Sequence, residues 1–316
     1  MSPVHRRAPI AVVGPTAVGK SRAAEDVALH LGGEVVSADS MQVYRDMDIG
    51  TAKTPPAERR VPHHCLDLVA PGEPYSAARF QHDAREAIAD ISGRGRVPVI
   101  AGGTGLYVRA ALDEMDFPAG EVATETRRLL ETRAVREGGG VLHAELVQLD
   151  PEAAALIHPN NVRRTVRALE MLSEGTSYAR QAQGFKQPIA HYHDTRLVGL
   201  TMDRDVLYAR IDARVDAMMV TGLVAEVERL IAGGYRDALT AGQAIGYKEL
   251  IPVVEGRSSL DEAVTEIKQS SRRYAKRQLT WFRADERVRW ADVTDLSPAQ
   301  VLETLLDLLE STEHPR

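Results

Sequence analysis

Short apolar runs alternate with longer stretches of helical period along the first third of the chain, and this alternation predicts a parallel sheet covered by helices. Ala8 to Val13 (APIAVV) is almost continuously apolar, as a strand buried on both faces must be. From Ser21 to Leu31 the apolar positions Ala23, Val27, Ala28 and Leu31 fall on one helical face. A Gly-Gly turn then leads into a second strand, Glu34 to Ala38. Ser76 reads as the N-cap of a helix that ends at Gly93. The stretch VPVIAGGTGLYVRAAL repeats the opening order: strand Val97 to Ala101, a Gly-rich turn, a helix. Ligands of such sheets collect at the carboxyl ends of the strands.

After Leu112 the strand signal stops. Residues 121–182 are nearly all helix-forming, with breaks at EGGG (137–140) and LDP (149–151). Strand character returns only in RLVGLTMD at 196–203. This pattern predicts a helical insertion domain, 118–195, inside an α/β core formed by 1–117 and 196–316. Two long amphipathic helices, 205–232 and 259–283, and a short final strand in RVRWADV complete the core.

The composition narrows the class. With 44% hydrophobic and 27% charged residues the 316-residue chain reads as an ordinary globular protein of about two domains. No apolar run approaches the ~20 residues of a membrane span, and the few charges of Met1 to Arg7 are followed by a strand rather than a targeting segment. A single cysteine, Cys65, excludes an internal disulfide and a thiolate cluster, which fits the cytoplasm; it reads as a small buried hydrophobe. A net charge of −6 disfavours nucleic acid on average, but a local basic face is enough to bind phosphates.

Four stretches carry candidate chemistry. Gly14-Pro15-Thr16-Ala17-Val18-Gly19-Lys20-Ser21 fits the phosphate-loop pattern at every fixed position, between a strand and a helix. Its amides cradle phosphate, Lys20 adds a point charge and Ser21 a magnesium ligand. Asp39 follows the second strand, and reads equally as a base or metal ligand and as a turn cap. In AGGTGLY, Gly102 and Gly103 allow close backbone approach, and Thr104 is either a hydroxyl donor to a ligand or the N-cap of the next helix. The fourth stretch is basic: Arg163, Arg164 and Arg167 on one helix, and Lys268, Arg272, Arg273, Lys276, Arg277 and Arg283 on another. Tyr274, Trp281 and Phe282 are interleaved with the second set, a combination suited to a phosphate backbone and unstacked bases. His63 and His64, being adjacent, make a poor metal pair, and Asp203 reads as the cap of the helix that follows it.

Taken together, GPTAVGKS, SADSMQVYRDMDIGTAK, PHHCLDL, AGGTGLY, HPNNVRRTVRALE, GFKQP, QAIGYKE and YAKRQLTWFR resemble the tRNA dimethylallyltransferases (isopentenyltransferases). They keep that family's order over nearly the whole chain, without the zinc-finger extension of the eukaryotic enzymes, as in the bacterial form. The resemblance implies a P-loop NTPase-like fold in which the loop holds dimethylallyl diphosphate. The dimethylallyl group would pass to N6 of adenine 37 in the tRNA anticodon stem-loop. It implies Asp39 as general base and Thr104 near the bridging oxygen. Diphosphate ligands would be Gly14, Thr16, Ala17, Val18, Gly19, Lys20, Ser21 and Arg210, with Arg214 as the alternative to Arg210. Ser21 would hold Mg²⁺. The tRNA would be met by Asp39, Ser40, Met41, Gln42, Thr104, Arg127, Arg163, Arg164, Arg167, Gln243, Gly246, Tyr247 and Lys248. The expected enzyme is cytoplasmic and monomeric, with no membrane contact, and binds RNA more weakly as salt rises. Two competing readings are a P-loop kinase of a small metabolite and a nucleic-acid-dependent NTPase. The first leaves the basic helices idle, and the second wants a magnesium-binding Asp on a core strand.

Overall fold

The computed structural model describes residues 8–117, 124–186, 191–192, 194–235, 238 and 240–311. Met1 to Arg7 and the Gln187-Pro188 end of GFKQP lie outside them. The chain divides into two compact units, one from residues 1–113 and 191–316, the other from 114–190.

In the first unit six strands form one parallel sheet in the order β3-β2-β4-β1-β5-β6. The strands are β1 (Ile10–Val13), β2 (Gly33–Ser37), β3 (His63–His64), β4 (Val97–Gly102), β5 (Arg196–Thr201) and β6 (Val288–Asp292). The central β1 is wholly buried, as its unbroken apolar sequence demands. Helix α1 (Lys20–Leu31) lays Ala23, Ala24, Val27 and Ala28 into the cluster built by Val12, Val35, Val99 and Val198. Burial of each such valine stabilises the fold by roughly 1.5–3 kcal/mol. Ser76 caps α2 (Ala77–Gly93) by accepting from the Arg79 N–H at 3.1 Å, and α3 (Gly105–Leu112) follows β4.

The second unit holds α4 (Glu125–Glu137), α5 (Gly139–Leu149), α6 (Pro151–Leu156), α7 (Val162–Ser173) and α8 (Tyr178–Lys186). Its separate core gathers Leu130, Leu142, Leu146, Ile157, Val166 and Leu169. On returning to the first unit, the chain forms α9 (Arg204–Thr221), α10 (Leu223–Ala232), α11 (Tyr247–Val254), α12 (Leu260–Arg283) and α13 (Pro298–Glu310).

The single helix expected at 205–232 is two, because Gly222 takes a left-handed backbone (φ 105) that closes α9 and opens α10. Asp203 caps α9, its Oδ1 accepting from the Asp205 and Val206 N–H groups. His63 and His64 are an edge strand, and each imidazole meets a different carboxylate, Glu25 at 2.9 Å and Glu34 at 2.8 Å. Cys65 is buried, and burial pushes its thiol up to about 12. No helix among the described residues is long and apolar enough to cross a membrane.

Candidate active site

The strand order decides the site. Strands β2, β4 and β1 are neighbours, so the segments leaving their carboxyl ends share one edge of the sheet. Those segments carry Asp39, Thr104 and the phosphate loop.

The loop from Gly14 to Ser21 turns through a left-handed Ala17 (φ 64) and Gly19 (φ 102) before α1 starts at Lys20. Lys20 Nζ donates to the Pro15 carbonyl at 2.5 Å. Burial lowers its pKa to about 7; the Asp39 carboxylate opposes this and the Arg214 guanidinium adds to it. A cavity of about 420 Å³ opens beside the loop, lined by Ala17, Gly19, Ser21, Arg22, Arg210, Ala213 and Arg214. Three arginines and no acidic residue form this wall, which therefore selects an anion. Arg210 and its alternative Arg214 both line it. Arg210 is the exposed one, its guanidinium 3.9 Å from Met202 Sδ. Burial pulls the Arg214 guanidinium below its ordinary value, with Asp39 in partial compensation.

Asp39 caps its own turn. Its Oδ1 accepts from the Met41 N–H at 2.9 Å, as a turn cap does, while its charge acts on Lys20 and Arg214. Thr104 stands at the N-cap position of α3 without capping it. Its hydroxyl instead accepts from the Ser40 N–H at 3.1 Å and faces Ser40 Oγ at 3.3 Å. The Asp39 turn and the Thr104 turn are thus tied side by side.

Three residues of this unit hold contacts that the sequence does not announce: Gln278 and Glu226 go unread, and Tyr274 reads only as a stacking aromatic. Gln278 of α12 is 4% exposed; its Oε1 accepts from the Thr16 N–H at 2.8 Å and its Nε2 donates to the Gly103 carbonyl at 2.9 Å. It pins the phosphate loop to the Gly-rich turn, and a Cβ on Gly103 would run into its amide. Tyr274, read as an aromatic for stacking, is half-buried beside Thr104 and Gln278, and burial, then Asp39, pushes its hydroxyl up to about 12. The third is Glu226, a buried acceptor for a loop near the site. No local pattern flags these contacts, since each is made to a part of the chain far away in sequence.

The basic helices divide their charges. On α12, Arg272 grips Asp212 at 2.9 and 2.7 Å and Lys268 meets Asp216 at 2.6 Å, so these two hold α9. Arg273, Lys276, Arg277 and Arg283 stay exposed. Phe282 is buried core, leaving Trp281, 43% exposed, as the aromatic of the set on the surface. On α7, Arg163 and Arg164 are exposed, while Arg167 meets the buried Glu170 at 2.7 Å. Arg127 of α4 meets the same carboxylate, its Nε 3.1 Å from Oε2. Gln243 and Lys248 face solvent. The Tyr247 side chain does not: it is fully buried and donates to Glu226 at 2.6 Å. Its ring packs where RNA cannot reach it.

A parallel sheet of this order, with a glycine-rich anion loop after its central strand, defines a P-loop NTPase-like α/β protein. The IPP transferase family model matches residues 42–285, and an isopentenyl transferase model matches residues 9–61. The chain is 50% identical over 288 residues to the tRNA dimethylallyltransferase of Geobacillus thermodenitrificans, covering 90% of each chain. It is 52% identical over 285 residues to that of an Exiguobacterium species, again covering 90% of each. A solved tRNA isopentenylpyrophosphate transferase from Bacillus halodurans is 44% identical and superposes with a TM-score of 0.69 over 96% of this chain and 97% of that one. A eukaryotic dimethylallyltransferase solved acting on tRNA is 30% identical, with a TM-score of 0.76 over 95% of this chain and 77% of that one. The chain belongs to the tRNA dimethylallyltransferase (isopentenyltransferase) family, a family of prenyltransferases.

Proposed function

We propose that this chain transfers the dimethylallyl group of dimethylallyl diphosphate to N6 of adenine 37 in tRNA, giving N6-dimethylallyladenosine and diphosphate. The observation that carries the reading is the arginine-walled cavity beside a phosphate loop, with Asp39 and Thr104 on the same sheet edge. The N6 amine is a weak nucleophile because its lone pair is delocalised into the adenine ring. As its nitrogen bonds to the allylic carbon, the carbon–oxygen bond to diphosphate breaks and the nitrogen turns cationic. Asp39 would accept the proton it sheds.

The leaving diphosphate gains charge, and stabilising that charge is the main catalytic demand. The loop amides from Gly14 to Gly19, Lys20 and Arg210 or Arg214 would share it, with Thr104 at the bridging oxygen. Mg²⁺, when bound, would neutralise diphosphate oxygens. The Ser21 side chain, on the cavity wall in the first turn of α1, fits such a ligand. Among the described residues no cluster of three or more His, Cys, Asp or Glu forms a metal site, so the remaining ligands would come from the diphosphate itself and water.

For the RNA, the proposed partner is the anticodon stem-loop, met by Asp39 to Gln42, Arg163, Arg164, Gln243 and Lys248. Arg127 and Arg167, both paired with Glu170, would join them at the edge of this surface. Adenine 37 would leave its stack to reach Asp39, which costs a few kcal/mol in a duplex and less in a loop. The proposed enzyme works as a monomer in the cytoplasm, in two parts: a core of 1–117 and 196–316 that carries the chemistry and C-terminal tRNA-binding helices, and a helical segment 118–195 that also contacts the tRNA.

The test is incubation of wild type and Asp39→Ala with Mg²⁺, radiolabelled dimethylallyl diphosphate and an unmodified anticodon stem-loop. Label appears on the RNA with wild type and is largely lost with the variant. Phosphate released from ATP, with no label on RNA, would replace this reading with a kinase.

A further inference from the structure

The loop between the Asp39 turn and Thr54 holds two non-glycine residues in left-handed backbone, Asp46 (φ 64) and Ala52 (φ 48). Such a path is held by its surroundings, not by local preference. Its holder lies in a helix about 175 residues further along. Glu226 of α10, 2% exposed, accepts from the backbone N–H of Asp48 at 3.2 Å, of Ile49 at 3.0 and 3.1 Å, and of Gly50 at 3.3 Å. Three successive amides converging on one carboxylate are an anion nest filled by the protein's own side chain.

The same carboxylate accepts from the Tyr247 hydroxyl at 2.6 Å. Burial, then Glu226, raises that hydroxyl above its ordinary value, so it stays a donor. The Tyr247 ring lies on Gly50 so closely that a Cβ there would strike it. From the nest, order passes back toward Asp39: the Thr51 carbonyl accepts from Gln42 Nε2 at 3.1 Å, and Gln42 Oε1 accepts from Ser37 Oγ at 2.9 Å. It also passes to Lys248, the residue after Tyr247, and through the Glu249 carboxylate to the Gly246 N–H at 2.8 Å. Lys53, donating to the Tyr44 carbonyl, Asp48 and Asp67, anchors the far side of the loop.

We propose that Glu226 is a positioning residue for tRNA: its carboxylate sets residues 40–51 and 243–248 in one fixed register, so that the RNA meets a preformed edge beside Asp39. The RNA part of this proposal rests on the transferase reading above. Because Lys53 still holds the loop, loss of the carboxylate loosens it without unfolding it. Glu226→Gln keeps the size but turns an NH₂ group toward backbone donors; Glu226→Asp keeps the charge on a shorter stem.

The experiment pairs steady-state transfer with hydrogen exchange on the full chain. Expected for Glu226→Gln is an anticodon stem-loop KM raised about 10- to 100-fold, the scale of one lost charged hydrogen bond. The KM for dimethylallyl diphosphate stays at the wild-type value, exchange quickens at 45–53 but not at 14–21, and Glu226→Asp recovers part of the RNA affinity. Unchanged exchange at 45–53 overturns the proposal, whatever the activity. So does a loss of kcat that follows a lower melting temperature with both KM values unchanged, since that is packing alone. A wild type that exchanges as described but transfers nothing fails the transferase reading separately, and takes the RNA role of Glu226 with it.

Discussion

Two arginine clusters in this chain treat charge in opposite ways. In the helical unit, Glu170 is wholly buried on α7 and is met by Thr124, Arg127 and Arg167. Burial alone would raise its pKa, but these donors win and hold it below the usual carboxylate range. In the core unit, Arg22, Arg210 and Arg214 line the cavity at the phosphate loop with no acid in its wall. Answered charge makes a joint between helices, and surplus charge makes an anion site. The same residue type thus serves cohesion in one place and lines an open cationic cavity in another.

The largest expected loss follows from removing the carboxylate proposed as the base. Asp39→Ala should lower the single-turnover transfer rate by about 10²- to 10⁴-fold at saturating RNA, with the melting temperature unchanged. A collapse in melting temperature would mean that the site holds the fold as Glu170 does. Next, Glu170→Ala leaves two arginines facing a void and should destabilise the protein by roughly 3–5 kcal/mol. Chemical denaturation reads that loss, while calorimetric diphosphate affinity should not move. Arg214→Gln should do the reverse, weakening diphosphate by about 10- to 100-fold without loss of stability, because a half-buried cation that repels Lys20 is removed.

The smallest effect is one of pH. Lys20 in the free protein has its pKa lowered to about 7, so above that pH it is increasingly neutral. A bound diphosphate favours the charged form, so binding takes up a proton and affinity falls as pH rises from about 7 toward the ordinary lysine value, by less than tenfold per pH unit. Titration calorimetry in buffers of different ionisation enthalpy measures that uptake. Proton release instead would show that another group governs the site.

Much of the core was legible because its signals are local. The unbroken apolar run of β1, the Ser76 cap and the Asp203 cap of α9 each depend on near neighbours in sequence. The phosphate loop is legible for the same reason, its cradle being made of successive amides. The α11 and α13 helices were not read: α11 carries an internal Pro252, and α13 follows closely on the last strand, capped by Ser297. The basic residues of α12 read together as a phosphate-binding set, yet Asp212 and Asp216 of another helix already pair with two of them.

The sequence by itself determined the parallel α/β class, the phosphate loop with Lys20 and Ser21, and the family, since each is written in contiguous residues. It takes the folded chain to join Thr16 to Gly103 through Gln278, to bring Tyr274 beside Thr104, and to hold the loop after Asp39 by Tyr247 and Glu226. The physical reason is range. Periodicity, caps and phosphate cradles arise from atoms a few residues apart, whereas a buried polar group takes whichever partner the folded chain brings to it.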